Sequence, residues 1–210
     1  MQHKIFRFNP LQVNTTVLWS GNRAIIFDPA CSNDNERAEL KSFLTGNNIL
    51  HIDILLTHAH FDHIMGVNYI LSEYGYKLRM HKDDLFLLES SVSMSGRFGI
   101  HMQEVKSPNE FIDENSQLHL DNESVKAIHV PGHSPGSLCY FIPKIDLLIA
   151  GDVLFKGSIG RTDLPGGNMN LLVGGIKNKL FTLTENVEVI CGHGPSTTIG
   201  DELRNNPFTQ

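Results

Sequence analysis

The spacing of hydrophobic residues changes along the chain, and each change marks out an element. The short runs KIFRF, QVNTTVLWS and RAIIFD, rich in β-branched and aromatic residues, predict three strands within the first 28 residues. The last two are separated by a turn at Ser20, Gly21 and Asn22. Over residues 33–47 the spacing lengthens to that of a helix, with Leu40, Phe43 and Leu44 on one face and Gly46 at its end. The run IDILLT, residues 52–57, is continuously apolar and suits a strand covered on both faces. A helix over residues 64–74 stops at Gly75, and the strand KLRMH and a helix over 83–91 follow. Residues 93–108 lack a clear period and predict a long loop, of a kind that is often functional. Strands return at QLHL, SVKAIHV, SLCYFI and LLIAG. Residues 168–183 predict a helix weakened by Gly174 and Gly175, VEVIC is the last core strand, and 199–205 form a short helix. Strands alternate with helices, with no repeat and no linker-like stretch, so one α/β domain over residues 1–210 is expected.

Composition narrows the function classes. A chain of 210 residues that is 40% hydrophobic can bury a core without disulfides. The net charge is −6 and the 17 Lys and Arg residues are scattered, which argues against nucleic acid or a membrane surface as partner. No run approaches the roughly 18 apolar residues of a membrane span, and MQHKIFRFNP lacks the apolar centre of a signal peptide. A cytoplasmic protein is expected. Cys139 and Cys191 lie in apolar strand-like runs and read as buried reduced thiols, while Cys31 follows the Asp28-Pro29 turn and is expected to be more exposed. The 11 histidines are many for this length, and several stand beside Asp, Gly or Pro.

The histidines concentrate in Thr57-His58-Ala59-His60-Phe61-Asp62-His63, directly after a predicted strand. His58 and His60, two apart, project to one side and can reach one ion. Asp62 and His63, expected at the start of the next helix, can face a second. For this composition a chance H-x-H-x-D-H arises in roughly one or two sequences per thousand. Three further positions share a shape, an ionisable residue at the end of an apolar strand flanked by Gly. They are His133 in VPGHSPG, Asp152 in AGD and His193 in CGHGP. Any of them alone could be a capped strand end or a satisfied core residue. Together with the first motif they make five His and two Asp, a donor set suited to two divalent cations.

With Asp28-Pro29, the histidine motif, PGHSPGS, GDVLF, GRTDLPGG, GHGPSTTIGDE and NPF in view, the chain resembles the metallo-β-lactamase superfamily, and within it the short glyoxalase II-like branch. The resemblance spans nearly the whole chain. It implies a four-layer αββα sandwich with its site along one edge of two sheets. It further implies His58, His60 and His133 on one metal, Asp62, His63 and His193 on the other, and Asp152 bridging. Zinc is the metal expected, with iron or manganese as alternatives.

Such a pair of ions can share a hydroxide, because metal binding lowers the pKa of water from 15.7 toward about 7. Asp152 and Asp62 are then the carboxylates at the chemistry, and no protein nucleophile is needed. A thiolate is both a good leaving group and a good metal ligand, so a small-molecule thioester is the substrate expected. By the resemblance, β-lactamases place Cys where Asp152 stands, which disfavours that activity. The 13 residues after Thr197 leave no counterpart to the glutathione-binding helical domain of long glyoxalase II enzymes. Arg161 has two readings, recognition of a substrate carboxylate or an ion pair with Asp163. Two rival functions stand beside the hydrolase. One is a persulfide dioxygenase with a single iron on His58, His133 and Asp152, and the other a non-catalytic metal-binding module. His101 and Phe98, in the predicted long loop, either approach substrate or are ordinary solvated and buried residues.

Overall fold

The computed structural model describes residues 1–75 and 77–210. The three amino-terminal strands are present as β1 (Gln2–Phe8), β2 (Val13–Ser20) and β3 (Arg23–Phe27). They pair antiparallel in sequence order. Then come α1 (Asp34–Gly46), β4 (His51–Leu55), α2 (Val67–Tyr74), β5 (Leu78–Met80), α3 (Leu85–Arg97) and β6 (Glu110–Phe111). The sheet has the order β1-β2-β3-β4-β5-β6, and β3 through β6 run parallel, each consecutive pair joined by one of the three helices. These elements make the first of two compact units, Met1–Ile112.

Capping explains where α1 starts. Asn33 accepts from the Glu36 amide, and the Glu36 carboxylate reaches back to the amide of Ser32 and, through its other oxygen, to that of Asn9. Leu40 and Leu44, one turn apart, are fully buried against the sheet. Each such burial contributes about 1.5–3 kcal/mol relative to exposure.

The second unit, Asp113–Gln210, holds another six-stranded sheet of order β14-β13-β10-β9-β8-β7. Its strands are β7 (Leu118–Leu120), β8 (Glu123–His129), β9 (Leu138–Ile142), β10 (Leu147–Gly151), β13 (Glu188–Cys191) and β14 (Thr197–Thr198). A small hairpin, β11 (Leu154–Phe155) with β12 (Ser158–Ile159), follows β10, and α4 (Met169–Gly175) and α5 (Ile199–Asn205) complete the unit. The pairing is antiparallel from β7 to β10 and parallel between β10 and β13, so β8, β10 and β13 all point the same way. The class is α/β, as the hydrophobic pattern predicts.

Three local expectations are corrected. The stretch read as a loop from Ser93 begins as helix, since α3 runs on to Arg97. The helix expected over 168–183 is ordinary helix only to Gly175, and Ile176–Leu180 winds as a wider π turn beside the two glycines. Cys31 is fully buried rather than exposed, and so are Cys139 and Cys191.

Burial pushes the Cys31 thiol from 9.0 up to about 12, so roughly one in ten thousand is thiolate at pH 8. Burial raises Cys139 as well. A thiol-selective reagent at pH 8 is therefore expected to modify none of the three cysteines in the native protein and all three after denaturation. Because the folded pKa of Cys31 is raised, its contribution to stability is complete below pH 9 and is lost as pH climbs toward 12. Stoichiometric labelling of the native protein at pH 8 would contradict the packing around these residues.

Candidate metal centre

In the first unit the histidine motif leaves β4 as an irregular turn. Asp62 and His63 lie in a short 3-10 segment, Phe61–His63, rather than at the start of α2. The His58 ring stands 4.1 Å from that of His63 and 4.8 Å from that of His60, to which it is nearly perpendicular. The Asp62 carboxylate is 3.8 Å from His63 Nε2. Four of the seven expected ligands are thus gathered on one turn.

One carboxylate outside that set organises it. Asp28, at the end of β3 in a left-handed conformation (φ 49°), accepts from the Thr57 amide at 2.7 Å, the Thr57 hydroxyl at 2.6 Å and His63 Nδ1 at 2.9 Å. The Thr57 proton is spent on Asp28, so His58 Nδ1, 3.0 Å from the same hydroxyl oxygen, is the donor in that contact. Asp28 therefore holds the proton on Nδ1 of His63 directly and on Nδ1 of His58 through Thr57, which leaves both Nε2 lone pairs free to serve as ligands. Asp28, His58 and His63 also bring possible ligand atoms within 4.8 Å of one another. With three donors already on the carboxylate, Asp28 orients the rings instead of binding an ion.

Two further buried groups hold the turn. The Asp84 carboxylate accepts from the Ala59 amide at 3.1 Å, and Asn9 donates to the Asp62 carbonyl at 2.8 Å. Asp28, Thr57, Asp84 and Asn9 are supports that sequence reading did not find. Asp28 carried a signal, since RAIIFD ends on an acid after an apolar strand just as LLIAGD does.

In the second unit His133, Asp152 and His193 follow the carboxyl ends of β8, β10 and β13, the three strands that share a direction. Asp152 Oδ2 is 3.6 Å from His133 Nε2 and 3.6 Å from His193 Nε2. That is long for a hydrogen bond. It matches the edge of a tetrahedron with metal–ligand bonds of about 2.1 Å, where neighbouring donors stand roughly 3.4 Å apart. His133 Nδ1 donates to the carbonyl of Arg161 at 2.9 Å, which leaves Nε2 as the coordinating atom. The donor set fits a divalent ion.

Glycine makes this arrangement possible at two points. Gly132 has φ 136°, and a Cβ there would lie 2.5 Å from the Asn168 carbonyl oxygen; at Gly160 a Cβ would lie 1.9 Å from the Asp152 carbonyl oxygen. Glu202, almost fully buried, accepts from the Gly157 amide, Asn206 Nδ2 and the Thr197 hydroxyl. It thereby binds α5 to the hairpin beyond Asp152, which gives GHGPSTTIGDE and NPF a structural role.

Two residues border the ligands. Arg161 forms a bidentate pair with Asp163, at 2.7 and 2.8 Å, and both side chains are exposed. The guanidinium holds Asp163 down to about 2. Phe98, 56% exposed just past α3, packs its ring 5.2 Å from that of Phe61, the residue between His60 and Asp62.

The sequence profile of the metallo-β-lactamase superfamily matches residues 8–193. The chain belongs to the metallo-β-lactamase superfamily. That places it among metallo-hydrolases in class, and the two histidine–aspartate clusters are its candidate ligand sets. Among curated relatives of this superfamily, the probable metallo-hydrolase YqgX of Bacillus subtilis is 37% identical over 95% of this chain and 93% of its own. The hydroxyacylglutathione hydrolase GloC of Haemophilus influenzae is 32% identical over 99% and 98%. Among solved structures, the BLEG-1 B3 metallo-β-lactamase superposes with a TM-score of 0.91 at 37% identity over the full length of both chains. TTHA1623 in a di-iron-bound form gives 0.87 at 33% over 98% and 99%. The metallo-β-lactamase fold expected from the motifs is thus the fold of this chain. No helix among the described residues is long and apolar enough to cross a membrane.

Proposed function

We propose that this chain is a cytoplasmic thioester hydrolase of the glyoxalase II-like kind, acting on 2-hydroxyacyl thioesters. His58, His60, Asp62, His63, His133, Asp152 and His193 are its metal ligands. The observation that carries the reading is the similarity to GloC along 99% of the chain. The Asp152 carboxylate poised between two imidazoles supplies chemistry to match. Metal held by these residues would supply an acidified water and polarise the scissile carbonyl. The chain's own groups do the rest. Asp28 and the Arg161 carbonyl keep Nε2 of His58, His63 and His133 available as ligands. The Arg161 side chain receives a substrate carboxylate, exchanging Asp163 for it. Phe98 offers an apolar wall beside the ligand turn.

The similarity to BLEG-1 favours a second reading, hydrolysis of a β-lactam ring. One set of measurements on purified protein separates the two. Elemental analysis is expected to give close to two transition-metal ions per chain, zinc or a zinc–iron mixture, with lactoyl-glutathione turned over faster than nitrocefin. Faster nitrocefin turnover would overturn the thioesterase in favour of the lactamase. A single iron, with oxygen consumed on addition of a persulfide, would overturn both.

A further inference from the structure

A cavity of about 610 Å³ is lined wholly by residues of the first unit, and none of the proposed metal ligands lines it. Its walls come from α1, α2 and the segment 101–106, and its basic lining residues are Arg37, His101 and Lys106. Among the described residues no carboxylate lines it, although the chain carries a net charge of −6. Cationic side chains gathered on a wall that lacks carboxylates, in an acidic protein, create a local potential that draws anions.

The cavity is held in shape. Asn68 of α2 donates to the Glu104 carbonyl at 2.8 Å and accepts from the Lys106 amide at 3.0 Å, so a single side chain clamps the segment that carries Lys106. Val105, between those two contacts, is buried. On the opposite wall the Arg37 guanidinium lies 5.8 Å from the centre of the Tyr69 ring, and Tyr69 donates to the Arg37 carbonyl. One terminal nitrogen of Arg37 reaches Asp34, whose side chain is 98% exposed, a pairing that water screens heavily. The Arg37 Nε–H is buried and has no acceptor among the described residues. A buried charged donor left in this way is costly unless a ligand satisfies it.

From these features we infer that the cavity binds a small, multiply charged oxyanion, the phosphate or carboxylate groups of a metabolite, at a site separate from the metal ligands. Arg37 and Lys106 supply the charge, Arg37 Nε–H finds its acceptor in an anion oxygen, and Tyr69 backs the guanidinium. The inference holds whether or not the chain cleaves thioesters, because it uses none of the residues assigned to that reaction.

The test is a titration of the metal-loaded protein with inorganic phosphate and, separately, succinate at constant ionic strength, followed by amide NMR shifts. Saturable shifts are expected at residues 37, 69 and 101–106, with midpoints on the order of millimolar. The anion that saturates first identifies the ligand as phosphorylated or polycarboxylic. Arg37→Gln and Lys106→Gln, both away from the proposed metal ligands, are each expected to raise the midpoint at least tenfold, while thioester turnover stays unchanged. Shifts that do not saturate with either anion, that sodium chloride reproduces, or that persist in both variants would overturn the site.

Discussion

Replacing Asp152 with Asn is expected to strip at least one metal ion from the protein and abolish most of its activity while the fold persists. The amide keeps the shape of the side chain and removes the negative charge that stands 3.6 Å from both His133 Nε2 and His193 Nε2. An ion held there would lose its strongest electrostatic partner. Substitutions that only support a ligand typically cost 10–100-fold in affinity or activity, and removing the charge of a ligand should exceed that range. Metal content after dialysis, turnover and the far-ultraviolet circular dichroism of the variant decide the matter. Full metal occupancy with near-native turnover would show that Asp152 is no ligand, and the whole assignment would need redrawing.

Asp28→Asn is expected to do its damage in a different order, weakening the metal-free protein first. Asp28 is 2% exposed and receives three donors, so an amide NH₂ in place of one oxygen sets donor against donor. Disrupting a buried acceptor of this kind costs about 2–4 kcal/mol, a fall of roughly 4–16 °C in Tm for a chain of this size. Freed of their acceptor, His58 and His63 can turn or change tautomer, and metal affinity should drop 10–100-fold. Thr57→Val removes the hydroxyl relay to His58 and leaves the Asp28–His63 contact intact, so its loss in affinity should be smaller. Urea denaturation of the metal-free proteins and competition with a chelator measure the two effects. Equal stability of Asp28→Asn and wild-type protein would remove Asp28 from its organising role.

The seven proposed ligands could be named from the sequence because each carries its signal within a few residues, a histidine run after an apolar strand or an ionisable residue flanked by glycine. Asp28 carries a signal of the same shape, but its role does not show there, because its partners lie 29 and 35 residues away and only the β3–β4 pairing brings them together. The tautomer of His133 was illegible for a similar reason, since its acceptor is a main-chain carbonyl 28 residues on. The misread part of α3 has another cause. Its buried stripe is Leu87, Leu88, Ser91 and Ser95, and serine does not register as an apolar position. Ser90, Ser93 and Ser95 return their hydroxyls to carbonyls three or four residues back, which lets a polar run remain helical.

The carbonyl that fixes His133 has a consequence for how this protein can change. Every residue placed at position 161 brings the same main-chain oxygen, so no substitution of the Arg161 side chain deletes the acceptor of His133 Nδ1. The exposed guanidinium is attached to an anchor that mutation cannot reach. A library built at residues 161 and 163 would therefore sample charge and shape at the proposed substrate contact while His133 keeps its orientation. Selection for a new acyl group or thiol can act there one codon at a time, without first repairing a damaged ligand.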